Sequence, residues 1–404
     1  MTTHEQPKVE VQPPSTEVGV LGWLRHNLFN SKASGLATIV IAAILLVITL
    51  LTLQWVIFDA RWGVITQNMR LFLVGLYPQD EIWRVWLTSA GLSVLAGLSA
   101  GTWTSGSVRI MAIMLAAGQL TIAFLTLVSG LGIVPAVASV VNAALVVGLM
   151  LAAERWPVPG RWLAVGWLIL TVLTVVLLQG FGEATPLPFV STSVWGGLLL
   201  TIMLSVVSIV LSFPIGVALA LGRRSSLPVV RVLSTAFIEI VRAVPLVTIL
   251  FMAVLLVPLF LPENIRIDNV IRAMAGMIIF TAAYVAENVR GGLQAIPSGQ
   301  VEAAQAVGLR SWQINMYIVL PQALRITIPA NVGQFISLLK DTTLVYIIGL
   351  NEILGIGRKV LAQPEWFGAS FDVYLFVAVV FFVLSYTLSQ ASYRLEKELG
   401  IGER

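Results

Sequence analysis

The sequence predicts an all-α, polytopic membrane protein with about ten membrane-crossing helices. Three observations carry this. Of its 404 residues, 58% are hydrophobic and 11% are charged, where soluble domains carry about 25% charged residues. The apolar residues gather into runs able to cross ~30 Å of hydrocarbon, separated by polar intervals. Lys and Arg concentrate in alternate intervals, the asymmetry that orients a membrane protein.

In chain order, residues 1–20 are polar, carry Pro7, Pro13 and Pro14, and read as disordered. Val20 to Phe29, with Trp23 and Arg25, suits a short interfacial helix. Leu36–Phe58 is too long for a signal-peptide core and lacks a following cleavage site, so it reads as a retained span. Asp59 to Arg84 is polar, and its Trp62, Phe72, Tyr77 and Trp83 suit a membrane–water interface. Further spans are expected at Val85–Trp103, Ile110–Val128, Ile133–Ala153 and Trp162–Leu178. Gly97 and Gly101 form a G-x-x-x-G, weak evidence for helix dimerisation in so glycine-rich a chain.

Gly180 to Ser193, with Pro186 and Pro188, reads as a linker. Five more spans follow at Val194–Leu221, Phe237–Leu261, Ala273–Val289, Ile326–Tyr346 and Val373–Tyr393. Asn331, Gln334, Lys340 and Asp341 interrupt the fourth of these. Pro214 and Pro245 are expected to bend their spans. The organisation is therefore a tail (1–35), a five-span extension (36–183), a five-span core (184–393) and a second tail (394–404).

Composition excludes several functions. The +4 formal charge is small and dispersed, which argues against nucleic acid. There are no cysteines, and the two histidines, His4 and His26, both lie in the N-terminal tail. Thiolate chemistry and histidine-based metal or acid–base sites within the membrane are thereby ruled out, and no cofactor is implied. No G-x-x-x-x-G-K-[ST] occurs, so the chain cannot cradle ATP phosphates by a P-loop. With the N-terminus inside, the inner intervals carry about twice as many Lys and Arg as the outer ones. Both termini are then cytoplasmic.

The longest polar interval of the last two-thirds runs from Arg290 to Arg325. Pro297 and Ser298 start a helix there, with Ser298 as its cap, and Gly308 can supply the left-handed residue that ends it. Ser311 can cap a second helix that runs into Pro321. The result is a compact knob at the bilayer surface, on the cytoplasmic side in this orientation.

Glu302-Ala303-Ala304, Gly308 and Ile318-Val319-Leu320-Pro321 resemble the EAA loop of ABC-transporter permeases. In that family the loop couples transport to a cytoplasmic ATPase, so the resemblance assigns coupling to Glu302, Ala303, Ala304, Gly308, Leu320 and Pro321. Gly196-Gly197-Leu198 to Thr201, Ala218 to Arg223, Glu239-x-x-Arg242-x-x-Pro245-Leu246, Glu287-x-x-Arg290-Gly291-Gly292 and Leu339 to Leu344 narrow it to the polar-amino-acid branch. The chain departs from the branch's usual pattern at Ala243 and Thr343, more often Gly and Ser. Trp23-Leu24-Arg25, Arg70-Leu71-Phe72 and Tyr77-Pro78 are similar to the long permease of general L-amino-acid systems.

The resemblance implies a non-enzymatic permease of a bacterial inner (plasma) membrane. Its expected partners are two cytoplasmic ATPase subunits, a second permease forming a heterodimer, a periplasmic amino-acid-binding protein and membrane lipid. Glu239 and Arg242, like Glu287 and Arg290, are spaced to pair on one helical face. Lys340 and Asp341 fall about 21 Å along a span beginning at Ile326. With Thr342 and Thr343 they are candidates to line the substrate pathway, where a zwitterionic amino acid could meet both charges; the alternative is that they hold helices together or mark the outer mouth. An ion- or proton-coupled secondary transporter is the alternative function, but the halves show no repeat.

Overall fold

The computed structural model describes residues 19–182, 185–262, 265 and 267–400. Of residues 1–20, read as disordered, 1–18 lie outside this set, as do Lys8, Arg266 and Arg404 of the charge comparison, while Gly19 and Val20 are helical. The chain divides into two compact units, Met1–Arg61 and Trp62–Arg404.

In the first unit, α1 (Gly19–Asn27) forms where the short interfacial helix is expected. Ser31 caps α2 (Lys32–Gln54), its Oγ accepting from the Ser34 N–H at 3.1 Å. The helix continues through a wide turn, Trp55–Asp59. Its apolar side chains point outward on every side, which suits hydrocarbon rather than water.

The second unit opens with two short helices, α3 (Gly63–Gln67) and α4 (Met69–Val74), inside the interval read as interfacial. Trp62 and Trp83 are part-exposed, as an interface position would need, but Phe72 and Tyr77 are buried. The extension is completed by α5 (Trp83–Trp103), α6 (Gly106–Val128), α7 (Ile133–Arg155) and α8 (Gly160–Gln179). Gly97 and Gly101 lie on α5 where α7 crosses it. A Cβ there would stand 2.6 Å from the Val146 carbonyl oxygen and 2.2 Å from that of Met150. The small-residue pair thus serves a crossing within the chain.

The part expected as the core begins with α9 (Gly197–Arg223), which continues through Pro214 as one helix. Next come α10 (Pro228–Ala243) and a helical stretch made of α11 (Leu246–Phe251), the wide turn Met252–Leu256 and α12 (Val257–Phe260). The run expected as one span, Phe237–Leu261, is therefore two pieces meeting at 105°. The cause is local: Val244 is extended, and Pro245 lacks the N–H that would continue the ladder.

Thereafter α13 (Asn269–Gln294) leads to the polar interval, with α14 (Ser298–Ala306) and α15 (Ser311–Gln313). The chain returns through α16 (Leu320–Asp341), α17 (Ile353–Leu361) and α18 (Ser370–Glu398). Among the described residues, eight helices are long and apolar enough to cross a membrane, or nine counting the bent pair. The remaining expected span is α16, with 22 residues long enough but diluted by polar side chains.

The most enclosed span is α13, packed between α9 and α16. A second apolar cluster joins Val64, Met69 and Phe72 to Ile353, Val360 and Val373. Glu352 is fully buried and caps α17, accepting from the N–H groups of Leu354 (2.9 Å) and Gly355 (2.8 Å). Burial pushes its carboxyl above the usual range, against those two hydrogen bonds.

Loop contacts sort the helix ends into two faces. On one, Glu398 accepts from the Ser105 hydroxyl at 2.6 Å, Arg109 pairs with Glu154 at 2.7 Å, and Arg224 donates to the Leu293 carbonyl at 3.3 Å. On the other, the fully buried Arg84 pairs with Glu81 and donates to the Pro188 carbonyl at 2.9 Å. Beside it the Tyr77 hydroxyl donates to the Leu178 carbonyl at 2.8 Å. Burial lifts the Tyr77 phenol to about 12, so it stays protonated as that donor. On this same face Asp268 accepts from Gln179 at 3.1 Å.

Candidate functional site

The polar interval folds into the expected knob, with three local differences. Pro297 occupies the cap position of α14, and Ser298 is the first helical residue. Arg310 occupies the cap position of α15, its N–H bonded to the Gln313 side chain at 2.9 Å, so Ser311 does not cap. Nor does the second helix stop before Pro321. It continues through a wide turn, Ile314–Val319, directly into α16. That turn makes room for a ring that would otherwise strike the carbonyl one turn back. Gly308 does end α14, at φ +80°.

The knob is rooted in the core and bare on its outside. Ala304, Ile314 and Val319 are buried in one cluster with Val285, Val289 and Leu293 of α13. Glu302, Ala303, Gly308 and Pro321 are exposed, while Leu320 is part-buried. Around them stand Val307 (75% exposed), Trp312, Met316 and Tyr317, with the Trp312 and Tyr317 rings 5.8 Å apart. These four large side chains were not singled out from the sequence. The interval holds other bulky apolar residues, among them Leu309, Ile314 and Val319, so composition alone does not separate the exposed four from the buried ones.

The Glu239–Arg242 pair is not formed among the described residues. Glu239 instead binds Arg223 of α9 at 2.9 Å, and Arg242 turns to Glu287 of α13 at 3.5 Å, its guanidinium 5.5 Å from the Tyr284 ring centroid. Glu287 also meets Arg223 at 3.5 Å and, as its spacing suggests, Arg290 at 2.6 Å. One carboxylate therefore serves three arginines and ties α9, α10 and α13 together. Sequence spacing reveals pairs on one helix, not the partners that neighbouring helices supply.

Lys340 and Asp341 form the last turn of α16 rather than the interior of a span reaching Tyr346. A 3₁₀ turn, Thr342–Ile348, follows them. The Lys340 side chain is exposed and has no hydrogen bond or ion pair among the described residues, and its charge suits a helix C-terminus. The hydroxyls of Thr342 and Thr343 donate to the carbonyls of Leu339 (2.7 Å) and Lys340 (2.8 Å). Ile326, Ala330, Gly333, Ser337 and Lys340 are all exposed, three or four residues apart, and so mark one open face of α16. On its covered side Asn331 accepts from Asn288 of α13 at 3.1 Å. No cluster of three or more His, Cys, Asp or Glu among the described residues is placed to hold a metal ion.

Residues 212–396 match the family described as the inner membrane component of binding-protein-dependent transport systems. The chain is 35% identical to the inner membrane amino-acid ABC transporter permease protein YhdY of Escherichia coli, over 94% of this chain and 93% of that one. It is 36% identical to the glutamate/glutamine/aspartate/asparagine transport system permease protein BztC of Rhodobacter capsulatus, over 96% and 95%. A crystal structure of an amino acid ABC transporter with histidines is 27% identical, with TM-score 0.46, over 50% of this chain and 92% of that one. The chain belongs to the amino-acid ABC-transporter permeases, the inner membrane components of binding-protein-dependent transport systems.

Proposed function

We propose that this permease imports polar amino acids and is driven by two separate cytoplasmic ATPase subunits that seat on the 290–325 knob. The observation that carries the reading is an exposed apolar and aromatic surface (Val307, Trp312, Met316, Tyr317) on a knob rooted in α13. A push at that surface would pass into the most enclosed span without bending a linker. Residues 184–393 act as the translocating core and 36–183 as an extension. The knob and both termini are cytoplasmic, as the Lys and Arg asymmetry supports.

A second permease is expected to close the pathway. It would cover the open face of α16, where Ala330, Gly333 and Ser337 let another helix approach closely. A periplasmic binding protein delivers the substrate, and the likeness to BztC, a glutamate/glutamine/aspartate/asparagine permease protein, suggests acidic amino acids and their amides. Labelling tests the arrangement cleanly, because the native chain has no cysteines. Single cysteines at Ser191 and Ser311 should react from the outside and the inside of the cell, respectively. Reaction of Ser311→Cys from outside would remove the knob from any ATPase and sink the proposal.

Asp341 is the most informative pathway residue. Asp341→Asn keeps the shape and removes the charge, and should lower uptake at least ten-fold while leaving expression and ATPase association intact. Equal uptake kinetics for several amino acids would take Asp341 out of the pathway.

A further inference from the structure

Where α9 ends and α13 finishes, Arg223, Arg224, Arg290 and Gln294 line a cavity of about 340 Å³ on the face that carries the knob. The ion-pair lattice beside it holds Arg223, Arg242 and Arg290 against Glu239 and Glu287. Arg224 adds a further cation, whose guanidinium donates to the Leu293 carbonyl and has no ion pair among the described residues. The neighbourhood thus carries two positive charges in excess, converging on one hollow at the end of a membrane span.

The adjoining helix has an unusual surface. One side of α10 is buried at Ser234 and Ile238, yet the opposite side presents Val229, Val232, Leu233 and Ile240, each 61–68% exposed. The spacing i, i+3, i+4, i+11 makes these one apolar stripe. It begins just past the turn that holds Arg224, and α10 leaves α11 at 105°. A cationic hollow with an exposed apolar stripe on the adjoining helix matches a molecule with an anionic head and apolar tails.

We propose that this corner is a binding site for an anionic phospholipid. The headgroup phosphate sits among Arg223, Arg224 and Arg290, and the acyl chains lie along α10. The bound lipid would brace the junction of α9, α10 and α13 at the face that receives the ATPase.

The test titrates the purified permease complex, in detergent, with phosphatidylglycerol, phosphatidylcholine and inorganic phosphate, and reads retention by native mass spectrometry. Phosphatidylglycerol should be retained about thirty-fold better than phosphatidylcholine, given two excess charges at about 1 kcal/mol each. Arg224→Gln should weaken phosphatidylglycerol retention about five-fold. Leu233→Gln should weaken retention of both lipids. Equal retention of the two lipids, or unchanged retention by Arg224→Gln, overturns the proposal. Displacement of phosphatidylglycerol by inorganic phosphate at equal concentration would make the hollow a free-anion site instead. If Leu233→Gln strips the second permease from the complex and leaves lipid retention unchanged, the stripe is a subunit contact and the proposal fails.

Discussion

Replacing Gly308 by valine is expected to abolish substrate transport while leaving the membrane helices folded. The residue sits at φ +80°, and a Cβ there would meet nothing within 4 Å. Any effect is therefore conformational rather than a clash. A left-handed backbone costs about 1–2 kcal/mol for an ordinary residue, and a β-branched one is a genuine outlier there. The chain can relieve that strain only by opening the turn between α14 and α15, which would swing Glu302 and Val307 away from Trp312 and Tyr317. ATP hydrolysis by the assembled complex should continue but lose its response to substrate-loaded binding protein. Gly308→Asn is the control, since asparagine tolerates the left-handed region, and it should retain most transport. Wild-type transport by Gly308→Val in proteoliposomes would mean that the turn is not part of coupling.

The second large effect concerns stability. Glu287→Gln removes the carboxylate shared by Arg223, Arg242 and Arg290. The side chains involved are 22–32% exposed, so the loss should fall between the ~0–1 kcal/mol of a surface pair and the ~3–5 kcal/mol of a buried one, at about 2–3 kcal/mol. The purified complex should melt several degrees lower. Coupling within the lattice supplies a sharper reading: Arg290→Gln should destabilise the Glu287→Gln protein less than it does the wild type. Additive losses would show that the two side chains do not act together.

Much of this architecture was legible because membrane spans are written in composition alone. The run Leu36–Phe58 needs only length and apolarity to be found, and α2 matches it. Gly308 was legible too, since a glycine after a short stretch of helix formers has few other uses. What the sequence hid depends on contacts between distant segments. Tyr77 and Phe72 carry the aromatic signature of an interface, yet their partners Leu178 and Phe376 bury them. Glu239 lies three residues from Arg242, but Arg223 arrives from another helix and takes it. Lys340 and Asp341 looked deep because the apolar residues after them suggested a longer span. Those residues instead form the 3₁₀ turn Thr342–Ile348.

The buried helices α3 and α4 set the order in which the protein can finish folding. Val64, Met69 and Phe72 leave the ribosome early, but their packing partners Ile353, Val360 and Val373 are made near the end. Contacts so far apart in sequence form slowly, and meanwhile the apolar segment has only earlier-made neighbours such as Leu125, Leu131 and Leu198 to cover it. Spans can enter the bilayer one after another, yet this cluster must wait, unfinished, for the last helices. Synthesis runs from the first residue to the last; completion of the fold runs partly the other way.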